Sequence, residues 1–237
     1  MDFQAFIVRW DKFWEKAIQP AFYDRILLGL KNTFLIALIG FSLGFLIGTI
    51  LAVFKLLPKN SKIGKFLSAI SDVYVAIFRG TPMVVQLLVA YYVLLPILGI
   101  KATGLTVCEV MFGLYSAAYV CEIMRSGILS VDHGQMEAGR SIGLTYMQTM
   151  FRIVFPQAIK NILPTLGNEL ITLIKETSVA SFVGATDLFS AFQYIGSNNY
   201  EYMIPYLMMA LIYIVIIVIL TLLLKLLERR LRASDRR

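Results

Sequence analysis

Three stretches of this chain are long, apolar and free of charge. Asn32 to Phe54 runs 23 residues without an Asp, Glu, Lys or Arg, Gly80 to Ile100 runs 21, and Tyr202 to Leu224 runs 23. A helix needs about 20 such residues to cross a bilayer. Only helices and closed barrels satisfy their backbone hydrogen bonds there. Two further stretches have the length but carry charge: Ala102 to Met124 holds Glu109 and Glu122, and Ile153 to Ile174 holds Lys160 and Glu169. The pattern predicts an all-α membrane protein with five transmembrane helices, the charged ones packing on protein rather than on lipid alone. The leader before the first span contains acids, and that span exceeds the roughly 7–15 residues of a signal core, so it reads as a retained helix rather than a cleaved signal.

Composition agrees. The chain is 58% hydrophobic and 16% charged, against about 45–50% and about 25% in soluble domains. One His and two Cys exclude a multi-His metal site and a disulfide framework. Cys108 and Cys121 fall on one predicted helix, roughly 20 Å apart at 1.5 Å per residue, and read as small apolar residues. The net charge of +7 would suggest nucleic acid in a soluble protein, but here it orients the spans. Lys55, Lys59, Lys62 and Lys65, then Arg125, Arg140, Arg152 and Lys160, then Lys225, Arg229, Arg230, Arg232, Arg236 and Arg237 fall on one side, with only Asp132, Glu137, Glu228 and Asp235 among them. On the other side Arg9, Lys12, Lys16 and Arg25 balance Asp2, Asp11, Glu15 and Asp24. The positive-inside rule then predicts the N-terminus outside and the C-terminus inside.

Residues 1–22 form an amphipathic segment. Phe3, Phe6, Ile7, Trp10, Phe13, Trp14 and Ile18 recur near a helical period, which suits a helix lying in the outer interface or one docked on other subunits. Residues 23–228 form the membrane domain, and 229–237 a basic tail. Gly40, Gly44 and Gly48 make a doubled G-x-x-x-G. That spacing admits close helix approach, although membrane glycine is also common.

The fourth span carries a polar stripe. Thr165, Asn168, Glu169, Thr172, Lys175 and Glu176 share one helical face. Such a face borders a water-filled path or an interhelical polar seam, and the residues alone leave both open. Glu122 is a second intramembrane acid, with Arg125 three residues on and within pairing reach. Between the third and fourth spans, about 130–156, the chain is polar enough to leave the membrane. Asp132 reads as an N-cap, Gln135 as its capping-box partner, and Pro156 as a break before the fourth span. A short helix there, on the basic side, offers a surface to a cytoplasmic partner. Arg79 and Pro82 open the second span as a structural break or a gate.

That segment reads Glu137-Ala138-Gly139, three residues, Gly143, nine residues, Ile153, one residue, Phe155-Pro156. It resembles the EAA loop of ABC importer permeases, with Gly139 for the third small residue and Phe155 for a leucine. Phe78-Arg-Gly-Thr-Pro82, Arg125 to Val131, Phe155 to Pro164, Gly167-Asn-Glu169 and Lys175-Glu-Thr-Ser178 resemble the polar amino-acid uptake branch. The likeness runs from about Leu28 to Glu228. It implies a type I importer permease fold that pairs with a second permease, identical or homologous. Two cytoplasmic ATPase subunits holding ATP and Mg2+, and an external amino-acid-binding protein, would complete the complex. It places the protein in the bacterial cytoplasmic (inner) membrane, crossing it several times. Glu137, Ala138, Gly139, Gly143, Ile153 and Pro156 would form the coupling helix and its supports. Asn168, Glu169, Thr172, Lys175, Glu176 and Glu122 would border the substrate path. The stripe's acids favour a basic amino acid such as arginine, lysine or histidine, with glutamine, glutamate and cystine left open.

No G-x4-G-K-[ST] phosphate loop occurs in the chain. The expectation is a transport subunit with no catalytic residue, no metal ligand and no cofactor of its own. The rival readings are an ion-coupled carrier or channel using Glu122, Glu169, Lys175 and Glu176, and a membrane anchor for a cytoplasmic protein. Against the carrier, no inverted repeat is visible and five spans do not divide evenly.

Overall fold

The computed structural model describes residues 3–57 and 61–233. Asp2, Lys59, Asp235, Arg236 and Arg237 of the charge reading lie outside the described residues, as do the side chains of Phe3, Lys16 and Arg232. The described residues contain helices and turns and no strand. They divide into two compact units that share several long helices: unit 1 takes in Met1–Gly40, Met83–Phe112 and Leu173–Ile219, and unit 2 takes in Phe41–Pro82, Gly113–Thr172 and Leu220–Arg237.

The leader helix α1 spans Phe3–Ala17. Its apolar face divides. Phe6, Trp10 and Phe13 pack in unit 1 with Leu188, Phe192 and Ile204 of the same chain, whereas Ile7, Trp14 and Ile18 stay exposed. Helix α2, Pro20–Leu56, contains the whole first apolar run. Helix α3, Lys62–Gly80, starts on Ser61, whose hydroxyl accepts from the Gly64 N–H.

The second predicted span needs correction. Thr81 is extended, Pro82 follows, and the chain turns by 103° before the next helical stretch, Met83–Ile97. That stretch comprises α4 (Met83–Val89), a π-helical turn at Ala90–Leu94 and α5 (Leu95–Ile97). At 1.5 Å per residue it is about 22 Å long, short of a bilayer core of about 30 Å. Gly80 to Ile100 is therefore no continuous span. The break reading at Arg79–Pro82 is the geometry found.

Helix α6, Gly104–Leu129, and helix α11, Met203–Ala233, cover the third and fifth apolar runs. Among the described residues three helices, α2, α6 and α11, are long and apolar enough to cross a membrane, and a fourth follows if α3 and the Met83–Ile97 stretch count as one broken span. Helix α6 is mostly buried, while the apolar stretch of α11 is open along its length. Within unit 2, α2 and α6 meet where side chains are smallest. A Cβ on Gly44 would stand 2.6 Å from the Ser116 Cβ, and one on Gly48 would stand 2.6 Å from the Ala117 carbonyl oxygen. Gly40 is buried as well.

Helices α7 (His133–Ser141), α8 (Tyr146–Thr149) and α9 (Phe155–Glu176) follow, with a π turn at Met150–Val154 between the last two. A 3-10 stretch, Thr177–Val183, leads to α10 (Leu188–Asn199). Asp187 caps α10, accepting from the Phe189 and Ser190 N–H groups. In unit 1 the Asn32 amide donates to the Thr186 carbonyl at 2.7 Å, and the Leu188 N–H donates to the Thr33 hydroxyl at 3.1 Å.

Candidate functional site

The 130–156 segment folds as a helix pinned back on its neighbours in unit 2. Asp132 is the N-cap of α7, as its position suggests, and accepts from the Gly134 N–H at 2.6 Å. The capping box expected with Gln135 does not form. Gln135 instead accepts from the Gln157 amide at 3.2 Å, because α9 brings an amide into closer reach than the helix's own cap. A capping box does form at Thr145 and Gln148, opening α8.

Four residues, Ile142 to Thr145, join α7 to α8. Leu144 N–H bonds back to the Gly139 carbonyl and Gly143 N–H to that of Arg140, the paired closure of a Schellman end. Gly143 carries φ +88°, a left-handed conformation that costs a residue with a Cβ about 1–2 kcal/mol. Gly139 is buried, and a Cβ there would stand 2.4 Å from the Thr149 Cγ2 and 3.1 Å from the Ile153 Cδ1. The motif thus separates by task. Glu137 and Ala138 are exposed, Gly139 and Ile153 join the two arms, and Gly143 turns the chain. Ile142, Tyr146, Met147 and Phe151 add exposed apolar surface beside Glu137.

Pro156 does not break the chain, contrary to the sequence reading. It lacks the N–H that the Arg152 carbonyl would receive in an α-helix. Arg152 lies in the π turn, where the Phe155 N–H reaches back to the Met150 carbonyl. The wider turn lets the helix pass through. Pro96 stands in the same relation to Tyr92 and the first π turn, where the Leu95 N–H bonds to the Ala90 carbonyl.

The polar stripe occupies α9 but is not uniformly accessible. Thr165, Asn168 and Lys175 are exposed, Thr172 and Glu176 half-buried, and Glu169 buried at 8%. Thr165 and Thr172 turn their hydroxyls onto the Asn161 and Asn168 carbonyls, at 3.0 Å each. In unit 1, Lys175 and Ser178 form the polar end of a groove of about 510 Å³ whose apolar walls include Phe189, Met209, Tyr213 and Ile217.

Glu122 is not alone. Its Oε2 accepts from Arg125 Nη2 at 2.8 Å and Nε at 3.1 Å. Its Oε1 is bonded by Lys55, which also pairs with Asp72 at 2.9 Å. Arg125 was visible from its helical spacing. Lys55 and Asp72, on α2 and α3, were not, since only the folded chain brings them there. Sequence reasoning also passed over Asp187. Its carboxyl, in the turn before α10, is fully buried, and desolvation pushes its pKa up to about 6 despite the backbone N–H groups that favour the charged form. The described residues hold no group of His, Cys, Asp and Glu arranged for a metal ion.

Residues 44–233 match the family model described as binding-protein-dependent transport system inner membrane component. The chain belongs to that family. It is a permease subunit of an ABC importer, and ATP hydrolysis in such importers is the work of a separate subunit. The permease is 38% identical to the arginine transport system permease protein ArtQ of Bacillus subtilis (strain 168), over 89% of this chain and 94% of that one. It is 36% identical to the L-cystine transport system permease protein TcyB of the same organism, over 90% and 89%. It is also 36% identical to a putative glutamine transport system permease protein, GlnP, of Rickettsia bellii (strain RML369-C), over 88% and 94%. Among solved structures it superposes on an amino acid ABC transporter crystallised with histidines, with TM-score 0.81, 35% identity, and 97% and 99% coverage. The ion-coupled carrier or channel reading finds no support in these matches.

Proposed function

We propose that this permease carries a polar amino acid inward across the bacterial cytoplasmic membrane by alternating access. It would pair with a second permease, identical or homologous, accept substrate from an external binding protein, and be driven by two cytoplasmic ATPase subunits that hold ATP and Mg2+. Three relatives named for arginine, glutamine and cystine transport support an amino-acid substrate. The distribution of Lys and Arg supports a cytoplasmic position for α7 and an external N-terminus.

The observation that carries the mechanism is the division of labour in the coupling segment. Glu137 and Ala138 stand exposed on α7, while Gly139, Gly143, Ile153 and the π turn before Pro156 hold that helix on the end of α9. A push on α7 is thereby passed to α9, the helix bearing Asn168, Glu169, Thr172, Lys175 and Glu176. Those five residues border the path in this reading, with Lys175 facing a substrate carboxylate and Glu169 an amino group. Both Glu122 oxygens are engaged by cations, which favours a joint between helices over a path residue.

Uptake by the reconstituted complex tests this. Glu137→Lys should cut ATP-driven amino-acid uptake at least about tenfold, a loss of about 1.4 kcal/mol of coupling, while the permease still assembles. Normal uptake by that variant would sink the docking assignment. Glu169→Gln and Asn168→Ala should change rate or selectivity; if neither does, the stripe is a packing seam.

A further inference from the structure

Arg25 lies in the first turns of α2, half-buried, with its guanidinium carbon 3.7 Å from the centre of the Tyr194 ring. Elsewhere in the chain Arg9 pairs with Glu201 at 3.7 Å, and Lys55 and Arg125 pair with Glu122. Among the described residues no carboxylate pairs with Arg25, and its buried Nε meets no acceptor. Stacking on a ring occupies the face of a guanidinium and leaves its N–H edges available for a planar anion.

Beside Arg25 opens a polar cavity of about 370 Å³, lined also by Ser181, Thr186, Gln193 and Ser197. Its hydroxyls are already oriented. Ser181 donates to the Ser178 carbonyl at 3.0 Å, and Ser197 to that of Tyr194 at 3.0 Å. With their protons committed, these oxygens present lone pairs. The cavity therefore offers a donor fork at Arg25 and acceptors across from it.

We propose that this cavity, in unit 1, is a binding site for the zwitterionic head of a free α-amino acid. Arg25 takes the carboxylate through paired N–H bonds, and the serine oxygens take the ammonium. The inference rests on the amino-acid reading above and adds a receiving site apart from the α9 stripe. In the proposed orientation this end of the permease faces outward, so the cavity holds the amino acid before it enters the path. Arg25 then selects for the group common to all α-amino acids, and selectivity among side chains falls to residues farther along.

The test uses the permease–ATPase complex in lipid nanodiscs without the external protein. The probes are arginine, glutamine and cystine, each compared with the amine that lacks its carboxylate. At least one amino acid should bind better than its amine. Arg25→Gln should weaken that amino acid about ten- to hundredfold, the worth of a charge-assisted contact, and leave the amine unchanged. Arg25→Lys should recover part of the loss. Equal binding of acid and amine, an unaffected Arg25→Gln complex, or no binding of any probe to the unaltered complex would each overturn the site. A change confined to retained anionic lipid would overturn it in favour of a headgroup. Unaltered gel-filtration behaviour and helix content by circular dichroism guard against misfolding. If the unaltered complex takes up no amino acid when supplied with ATP and the binding protein, the importer reading itself has failed. If uptake is normal and Arg25→Gln leaves its KM unchanged, only this inference has failed.

Discussion

At the scale of single residues, two positions carry testable consequences of their backbone or burial. Gly143 holds φ +88° at the end of α7. Replacing it with Ala costs about 1–2 kcal/mol in an exposed turn with open space around it, so the penalty is conformational rather than steric. Gly143→Ala should leave the membrane helices intact by circular dichroism yet reduce co-purification of the ATPase. Asp187 carries the pH dependence. Its folded pKa of about 6 exceeds the ordinary 3.8, so between those values the folded form binds the extra proton. Raising the pH through that window therefore lowers the stability of the fold around α10, because the buried charge is desolvated even though the two cap N–H groups favour it, and above it the effect is constant. Exchange protection of the Phe189 and Ser190 amides, corrected for intrinsic rate, should be greater at pH 5 than at pH 7.5. The dependence should vanish in Asp187→Asn. What sequence could show at this scale was local. The Asp132 cap and the Glu122–Arg125 pair are set by spacings of two or three residues and were legible. Lys55, 67 residues from Glu122, and the isolation of Arg25 depend on which helices meet, which no spacing encodes.

At the scale of elements, the long apolar runs were legible because the bilayer demands them: α2 and α11 appear where two uncharged runs lie, and α6 where the stretch carrying Glu109 and Glu122 lies. Helix α3 was passed over. Its 19 residues include Lys62, Lys65, Asp72 and Arg79, so a search for uncharged runs skips it, and Asp72 is instead neutralised by Lys55 in the fold. The end of Gly80–Ile100 was misjudged for a related reason: apolar length says nothing of a 103° turn at Thr81–Pro82. The doubled G-x-x-x-G gained a partner in α6. Gly48→Leu would drive a side chain into the Ala117 carbonyl and Val120. Overpacking of that kind costs about 1–3 kcal/mol or more. The midpoint of thermal unfolding in detergent should fall, with Gly40→Ala, which adds a single methyl group, falling less.

At the scale of the whole molecule, orientation decides which face meets each partner. The Arg9–Glu201 pair sets α1 and the turn before α11 at one end of unit 1. The positive-inside reading expects both outside. Single-cysteine labelling with a membrane-impermeant maleimide settles the matter. Cys108 and Cys121 are free but buried, so background should be low. Tyr200→Cys, at a position 95% exposed, should label from outside intact cells. Glu137→Cys should label only after the membrane is opened. The reverse result would invert the topology and remove α7 from reach of any cytoplasmic ATPase.

The two π turns bear on how chains of this kind can change length. A π turn is an α-helix with one residue more than its turn requires, and the surplus is absorbed locally while the helix on either side keeps its phase. Within α9 ahead of Glu169, losing a residue would rotate everything beyond it by about 100°, since there are about 3.6 residues per turn. Glu169 would then leave the protein interior. Within Met150–Val154 a residue can be lost without that rotation, provided Pro156 is exchanged in the same step for a residue that has an N–H to give. The turn that lets proline pass is thus also a splice point, where lineages can differ by one residue while α7 and the polar stripe keep the same relative phase.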